Sequence, residues 1–506
     1  MLCCILFALL LLQAGPPPAD APKPPETKSA EKLKEPEEEK PVITHHEMRA
    51  GGKSLKYTAT AGLMPIRNAR GETEAHMFFV AYTLEGVSDA HRRPLMFSFN
   101  GGPGSASVWL HLGALGPKRV VMLNNGEMPA PPFHLVDNEY TWLDQTDLVF
   151  IDPVGTGYSR AAKPELNRNF WNLRGDIQSV GEFIRMYLTR NERWTSPLFL
   201  VGESYGTTRA AGLSGYLIDR GVAFNGVLLV SSILNFQTAS FAAGNDLPYI
   251  LYLPSYTATA WYHHKLAPEL QQDLRKTLKE VEAWADTGYA EALAKGDRLA
   301  PAERQSVIDR LARYTGLEKS YIDNSNLRIP IFRFTKELLR GQKRTVGRLD
   351  SRFKGIDQSA STEAPEYDPS LSAIRPPYTS TFNNYVRGEL GYKSDLEYYI
   401  LGEGISSPWE WGPSSSREGF PDTSEDLRSA LSKNPYMKLY IASGYFDLAT
   451  PYFATEYTLT HMGLDPSLRG NIRTGEYEAG HMVYIDTKSL EKLKREVAAF
   501  LESALK

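Results

Sequence analysis

The chain has 506 residues, of which 42% are hydrophobic and 23% charged, a balance that supports a large apolar core and excludes collagen-like, disulfide-dense and disordered chains. Lys and Arg number 56 against 60 Asp and Glu, and the resulting net charge of −4 leaves no basic footprint for nucleic acid.

Met1 to Leu12 are all apolar. The run is too short for a membrane span, which needs ~20 residues, but fits the ~7–15-residue core of a secretory signal. We read 1–14 as a signal peptide and expect a periplasmic or extracellular protein with no membrane span in the mature chain. Both cysteines, Cys3 and Cys4, lie inside this segment. Once it is removed, no disulfide, zinc-thiolate site or cysteine nucleophile remains, and no metal or cofactor is expected. Residues 15–41 are rich in Pro, Glu and Lys and read as an extended, disordered linker.

From Val42 the pattern alternates as in strands, through Leu55–Ala59 and His76–Thr83, with turn residues between, which predicts an antiparallel meander. Short apolar strands then alternate with helices. Strands are expected at Leu95–Phe99, Asp147–Ile151, Leu198–Val201 and Val227–Val230, and helices at Ile177–Leu188 and Thr207–Leu217. The glycine-rich turns follow strand C-termini, which indicates an α/β fold with a mostly parallel central sheet flanked by helices. The rhythm stops after Asn235. Residues 236–430 read as a large helical insertion, with an apolar stripe over Leu270–Ala285 and helical stretches near Ala302–Tyr314 and Ile331–Leu339. Asp350–Thr381, rich in Ser and Pro, is expected to be loop, and the aromatic stretch Tyr249–Tyr262 to be packing of the insertion. The core, 42–235, resumes over 431–506 with strands Leu439–Ala442 and Ile472–Tyr477 and a terminal helix Ser489–Leu505.

Gly202-Glu203-Ser204-Tyr205-Gly206 lies between an apolar strand and a helix, the context of a nucleophile elbow that exposes the Ser204 hydroxyl. A serine needs a base and the base an orienting acid, in the order Ser, Asp, His for this arrangement. Asp447 and His481 both follow strands near the C-terminus and are taken as the other members of a triad. His45, His46, His263, His264, His461 and Asp465 lie in contexts that suit packing or surface roles better. Oxyanion donors are expected from the N–H of Tyr205 and from the loop Asn100-Gly101-Gly102-Pro103-Gly104, with Gly102 as the second donor.

Four blocks now stand in order: Asn100 to Ser105, Asp152 to Ser159, Gly202 to Gly206, and Ala479 to Val483. They resemble the signature blocks of the serine carboxypeptidase family and cover about 95–235 and 437–487. The resemblance implies an α/β-hydrolase fold with a helical lid. It also implies release of C-terminal amino acids from peptides or proteins, with Asn100 and Glu203 binding the substrate's terminal carboxylate. Two carboxyl groups at hydrogen-bonding distance must share a proton, so such an enzyme should work best in acid.

Three positions depart from the family's pattern: Ser98 stands for a tryptophan, Ala114-Leu115 for an acidic residue, and Ser105 for a cysteine. The first two belong to the carboxylate-binding network, for which Glu478 or an arginine of the insertion are candidate replacements. An esterase or acyltransferase of the same fold, or a non-catalytic envelope binding protein, stay open as alternatives. The family's secreted eukaryotic members are disulfide-bonded and glycosylated. This chain has no cysteine beyond position 4 and no Asn-x-Ser/Thr acceptor, which points to a bacterial exported branch.

Overall fold

The computed structural model describes residues 40–405, 409–411 and 419–506. The expected signal peptide, and the expected linker up to residue 39, lie outside the described residues. The sheet is built from β1 (Val42–Ala50), β2 (Lys53–Arg67), β3 (Thr73–Leu84), β4 (Leu95–Phe99), β5 (Asp147–Ile151), β6 (Leu198–Ser204), β7 (Gly226–Ser232), β8 (Lys438–Gly444) and β9 (Ile472–Tyr477). Its order is β1-β2-β3-β5-β4-β6-β7-β8-β9, with the two-residue strand Arg160–Ala161 paired to β3.

The first three strands and β5 pair antiparallel, and every pairing from β5 to β9 is parallel. The meander opens with a two-residue hairpin in which Ala50 faces Lys53. Gly51 and Gly52 both take positive φ there, the backbone a type I′ turn demands. Strand β4 has β5 on one side and β6 on the other, so the connections leaving β4 and β5 diverge. That is a topological switch point, where an α/β sheet opens a crevice at its strand C-termini.

Period-two alternation sorts the central strands between two cores. On β6, Leu198 and Leu200 face Val180, Phe183 and Leu213 of helices α1 (Leu173–Arg190) and α2 (Tyr205–Ile218). Phe199 and Val201 face the other way, toward the core that contains Phe500 of the terminal helix (Thr487–Ala504).

Residues 236–430 divide among three apolar cores. The part built around α3 (Leu247–Tyr262), α4 (Leu274–Trp284) and α5 (Pro301–Thr315) has a core of its own, in which Tyr256 stacks on Phe334 at 3.9 Å. Tyr252 and Tyr256, from the aromatic stretch, are buried in it.

The loop expected over 350–381 is corrected at its C-terminal half, where α6 (Pro369–Gly388) forms. Asp368 caps it by accepting from the Ser370 N–H at 2.9 Å, and Pro369 sits in the first turn, where a missing N–H costs nothing. Ile374, Tyr378, Phe382, Tyr385 and Val386 lie on one stripe buried against the sheet. That burial overrides the poor propensity of Pro376 and Pro377. Helix α7 (Ser424–Lys433) joins the first core through Leu427, Ala430 and Leu431.

Asp147, at the start of β5, is buried between two arginines, 2.6 Å from Arg93 Nε and 2.7 Å from Arg193 Nη1. Replacing Asp147 with Ala leaves both guanidinium groups without their counter-charge. We expect a loss of about 3–5 kcal/mol in urea unfolding.

Candidate active site

Strand β6 ends at Ser204, and the next residue opens α2. Ser204 has φ 60° and ψ −132°, a region a non-glycine residue occupies at a cost of about 1–3 kcal/mol. Close backbone packing holds it there. A Cβ on Gly202 would lie 2.1 Å from the Gly206 carbonyl, and one on Gly101 would lie 2.4 Å from the Tyr205 nitrogen. Glycine at both places lets the loop after β4 rest directly on the turn after β6.

Beneath the turn, Arg209 of α2 donates to Asp176 of α1 at 2.8 Å and to the Asn100 carbonyl at 2.6 Å. The Tyr205 hydroxyl also donates to Asp176, at 2.9 Å. All four side chains are buried. One ion pair thus ties two helices and the loop after β4 to the turn.

Asp447 follows β8 and His481 follows β9. His481 Nδ1 and Asp447 Oδ2 are 2.7 Å apart, and Asp447 Oδ1 accepts from the N–H groups of Ala449 and Thr450 at 2.7 and 3.0 Å. The Thr450 hydroxyl donates to Asp447 Oδ2 at 2.8 Å. Burial opposes a charge on His481, but the Asp447 carboxylate outweighs it and raises the pKa of the imidazole. The backbone N–H of His481 donates to the Leu349 carbonyl at 2.6 Å.

Ser204 and His481 border the same cleft, together with Asn100, Gly102 and Glu203. Among the described residues no hydrogen bond joins the Ser204 hydroxyl to the imidazole. Such contacts tighten when substrate seats. Tyr205 is the first residue of α2, so its N–H has no partner within the helix. Gly102, exposed in the cleft wall with φ 100°, has an N–H without a partner among the described residues.

Glu203 is buried beside the serine. Asn100 Nδ2 donates to its Oε1 at 2.9 Å, while Oε2 makes no well-formed hydrogen bond among the described residues, although the buried Tyr484 hydroxyl lies close enough to favour the ionised carboxyl. Burial pushes this carboxyl up to about 7. Asn100 is fixed in turn by the Leu110 N–H, which donates to its Oδ1 at 3.0 Å.

The structure therefore brings Ser204, His481, Asp447, Asn100, Glu203, Gly102 and Tyr205 to one place. It does not bring Glu478, whose side chain is exposed and absent from the cleft wall. Arg348 of the insertion does line the cleft. Sequence reasoning missed Tyr484 and Trp109. Buried Tyr484 acts electrostatically on Glu203, and Trp109 donates from its ring N–H to Ser105 at 2.8 Å in the same wall. Tyr484, three residues after His481, carried a sequence signal only in its proximity to that block. His45 pairs with Glu85 on the surface, and His263 bonds the Ser351 carbonyl, so both serve local structure. A larger hollow of about 810 Å³ along α1 and α2 contains none of the predicted residues. Among the described residues no group of three or more His, Cys, Asp or Glu could hold a metal.

A mostly parallel sheet with a strained serine between strand and helix defines an α/β-hydrolase. The chain matches the model of the serine carboxypeptidase family over residues 51–494, and it belongs to that family. Serine carboxypeptidase-like 13 of Arabidopsis thaliana is 28% identical over 174 residues, 32% of this chain and 38% of that protein. Serine carboxypeptidase-like 16 of the same plant is 32% identical over 139 residues, 26% of this chain and 30% of its own. The matched stretches thus span less than two-fifths of these relatives' length. Among solved structures, Kex1, a prohormone-processing carboxypeptidase from Saccharomyces cerevisiae, aligns with a TM-score of 0.53 at 18% identity. That alignment covers 88% of this chain and 91% of the yeast protein.

Folding raises the Glu203 pKa from 4.5 to about 7, so the folded state holds a proton that the unfolded chain has lost between those values. The stabilisation is complete below about 4.5 and is lost as pH rises to about 7. Glu203→Gln should therefore unfold in urea much like the parent at pH 4.5. At pH 8 it should be the more stable protein, by about 3 kcal/mol.

Proposed function

We propose that this protein is a serine carboxypeptidase that removes C-terminal residues from peptides through an acyl-enzyme. The observation that carries the reading is Glu203: a buried carboxyl beside the nucleophile, with one oxygen bound to Asn100, the other without a well-formed hydrogen bond, and a pKa of about 7. In its protonated form such a group donates a hydrogen bond to an incoming carboxylate, a task that hydrolysis of a plain ester does not require.

In this reading Ser204 Oγ attacks the scissile carbonyl carbon as His481 Nε2 takes its proton. Asp447 holds the imidazole by Nδ1 and stabilises the cation that forms. The N–H groups of Tyr205 and Gly102 receive the oxyanion. Collapse breaks the C–N bond, and the imidazolium returns the proton to the departing amino group. Water, deprotonated by the same imidazole, then cleaves the Ser204 ester. In this reading the insertion, residues 236–430, serves as the lid, and its Arg348, Leu349, Leu371, Ile374 and Leu401 line the cleft.

Export rests on the apolar run Met1 to Leu12, and the bacterial origin on the missing cysteines and glycosylation acceptors. No helix among the described residues is long and apolar enough to cross a membrane.

The small side chains Ser98 and Ala114 favour one second reading, an esterase or acyltransferase using the same residues. A peptide and its C-terminally amidated counterpart decide between them. The carboxypeptidase cleaves the free acid at least a hundredfold faster, an esterase treats both alike, and Ser204→Ala cleaves neither.

Because Glu203 must be protonated to accept a carboxylate, kcat/KM on a blocked dipeptide should fall as pH rises through about 7, where ionised Glu203 repels the substrate. Hydrolysis of an uncharged ester should persist above that pH. Equal profiles for the two substrates would rule out this role for Glu203.

A further inference from the structure

Arg348 is a half-buried cation in the wall of the candidate active cleft, and among the described residues its guanidinium has neither a hydrogen bond nor a carboxylate within 4 Å. The neighbouring buried arginines are all paired: Arg209 with Asp176, and Arg352 with Asp350 and Asp486. Neither carboxyl group lining the cleft pairs with the Arg348 guanidinium: Asp368 caps the N-terminus of α6, and Glu203 is bonded through one oxygen to Asn100, while nearby Asp447 is committed to His481 and Thr450.

The backbone of Arg348 is fixed from both sides. Its N–H donates to Asp368 at 3.1 Å, and its carbonyl accepts from the Leu448 N–H at 3.0 Å. The next carbonyl, that of Leu349, holds the His481 N–H. The side chain is therefore anchored one residue from the support of the histidine. Its charge reaches the site, where it opposes protonation of His481. Leu371, Ile374, Trp109 and Leu401 make much of the remaining wall apolar. A cation held partly out of water without a counter-ion is costly, and an apolar wall strengthens its attraction for an anion.

We propose that Arg348 binds a carboxylate of the substrate by a charge-assisted hydrogen bond, supplying from the insertion the recognition that Ser98 and Ala114 do not provide. The inference rests on the carboxypeptidase reading for the identity of its ligand. That carboxylate comes either from the peptide's C-terminus or from an acidic side chain next to the scissile bond.

Calorimetric titration of the whole protein with three small probes tests this without relying on turnover. The probes are N-acetyl-phenylalanine, its uncharged amide, and the α-amide of N-acetyl-glutamate. The intact protein should bind one of the two anionic probes at least tenfold tighter than the neutral one. Arg348→Gln should abolish that preference, Arg348→Lys should keep part of it, and Arg348→Met provides a second neutral variant with the apolar stem retained. Loss with the phenylalanine acid assigns the α-carboxylate, and loss with the glutamate amide assigns a side chain. An unchanged preference in both neutral variants, or none in the parent, overturns the proposal. If the parent prefers a carboxylate through Arg348 but cleaves no blocked dipeptide, the carboxypeptidase reading fails while this inference stands. Peptide cleavage with an unchanged preference gives the converse.

Discussion

A serine at φ 60° and ψ −132° does not hold that conformation by itself, and the backbone packing around Ser204 supplies what holds it. Gly202 lets the end of β6 and the first turn of α2 touch, while Gly101 and Gly206 let the loop after β4 press against the same turn. The geometry then propagates. Once the loop rests on the Tyr205 nitrogen, Asn100 and Gly102 are placed beside the serine. The Arg209 guanidinium locks the contact by holding the Asn100 carbonyl and Asp176 together. The candidate oxyanion donors and the candidate carboxylate site are thus by-products of one close approach.

Charges around this turn are divided by whether they have partners. Asp176 and Arg209 are deeply buried and neutralise each other, a structural use of charge in which nothing is left over for a ligand. Asp447 and His481 form a second pair whose outer imidazole edge faces the cleft. Glu203 and Arg348 have spare capacity, one as an oxygen without a well-formed hydrogen bond and the other as an unpaired cation. A substrate that carries a negative charge and a polar carbonyl can use what the protein leaves unsatisfied.

The sequence carried the central strands and the motif loops clearly, because both obey local rules. A largely apolar run of five residues that leads into a glycine-rich turn, as at Leu95–Phe99 before Asn100-Gly101-Gly102, reads the same in isolation and in the sheet. Ser204, Asp447 and His481 sat at strand ends and could be chosen on that ground. Helix α6 was hidden because Pro376 and Pro377 argue against a helix locally, and only its buried aromatic stripe, set by tertiary packing, compensates. Tyr484 and Arg348 had no motif of their own. Their relation to Glu203 and His481 exists only after distant segments fold together. Glu478 illustrates the converse error, since adjacency to His481 in the chain did not place its side chain in the cleft.

The carbonyl of Leu349 that receives the His481 N–H belongs to the segment returning from the insertion, and Asp350 packs so closely on Gly480 that a Cβ there would lie 2.5 Å away. Arg352, two residues further, donates to the Glu478 carbonyl at 3.0 Å and so grips the same loop from its other end. The histidine loop is therefore clamped by a piece of chain outside the sheet that presents it. Insertion and base form one mechanical unit: a movement that lifts this segment also carries the imidazole with it. Access to the cleft and alignment of its proton carrier are thereby geared together, and grafting a foreign insertion onto this sheet would have to rebuild that gear as well as cover the cleft.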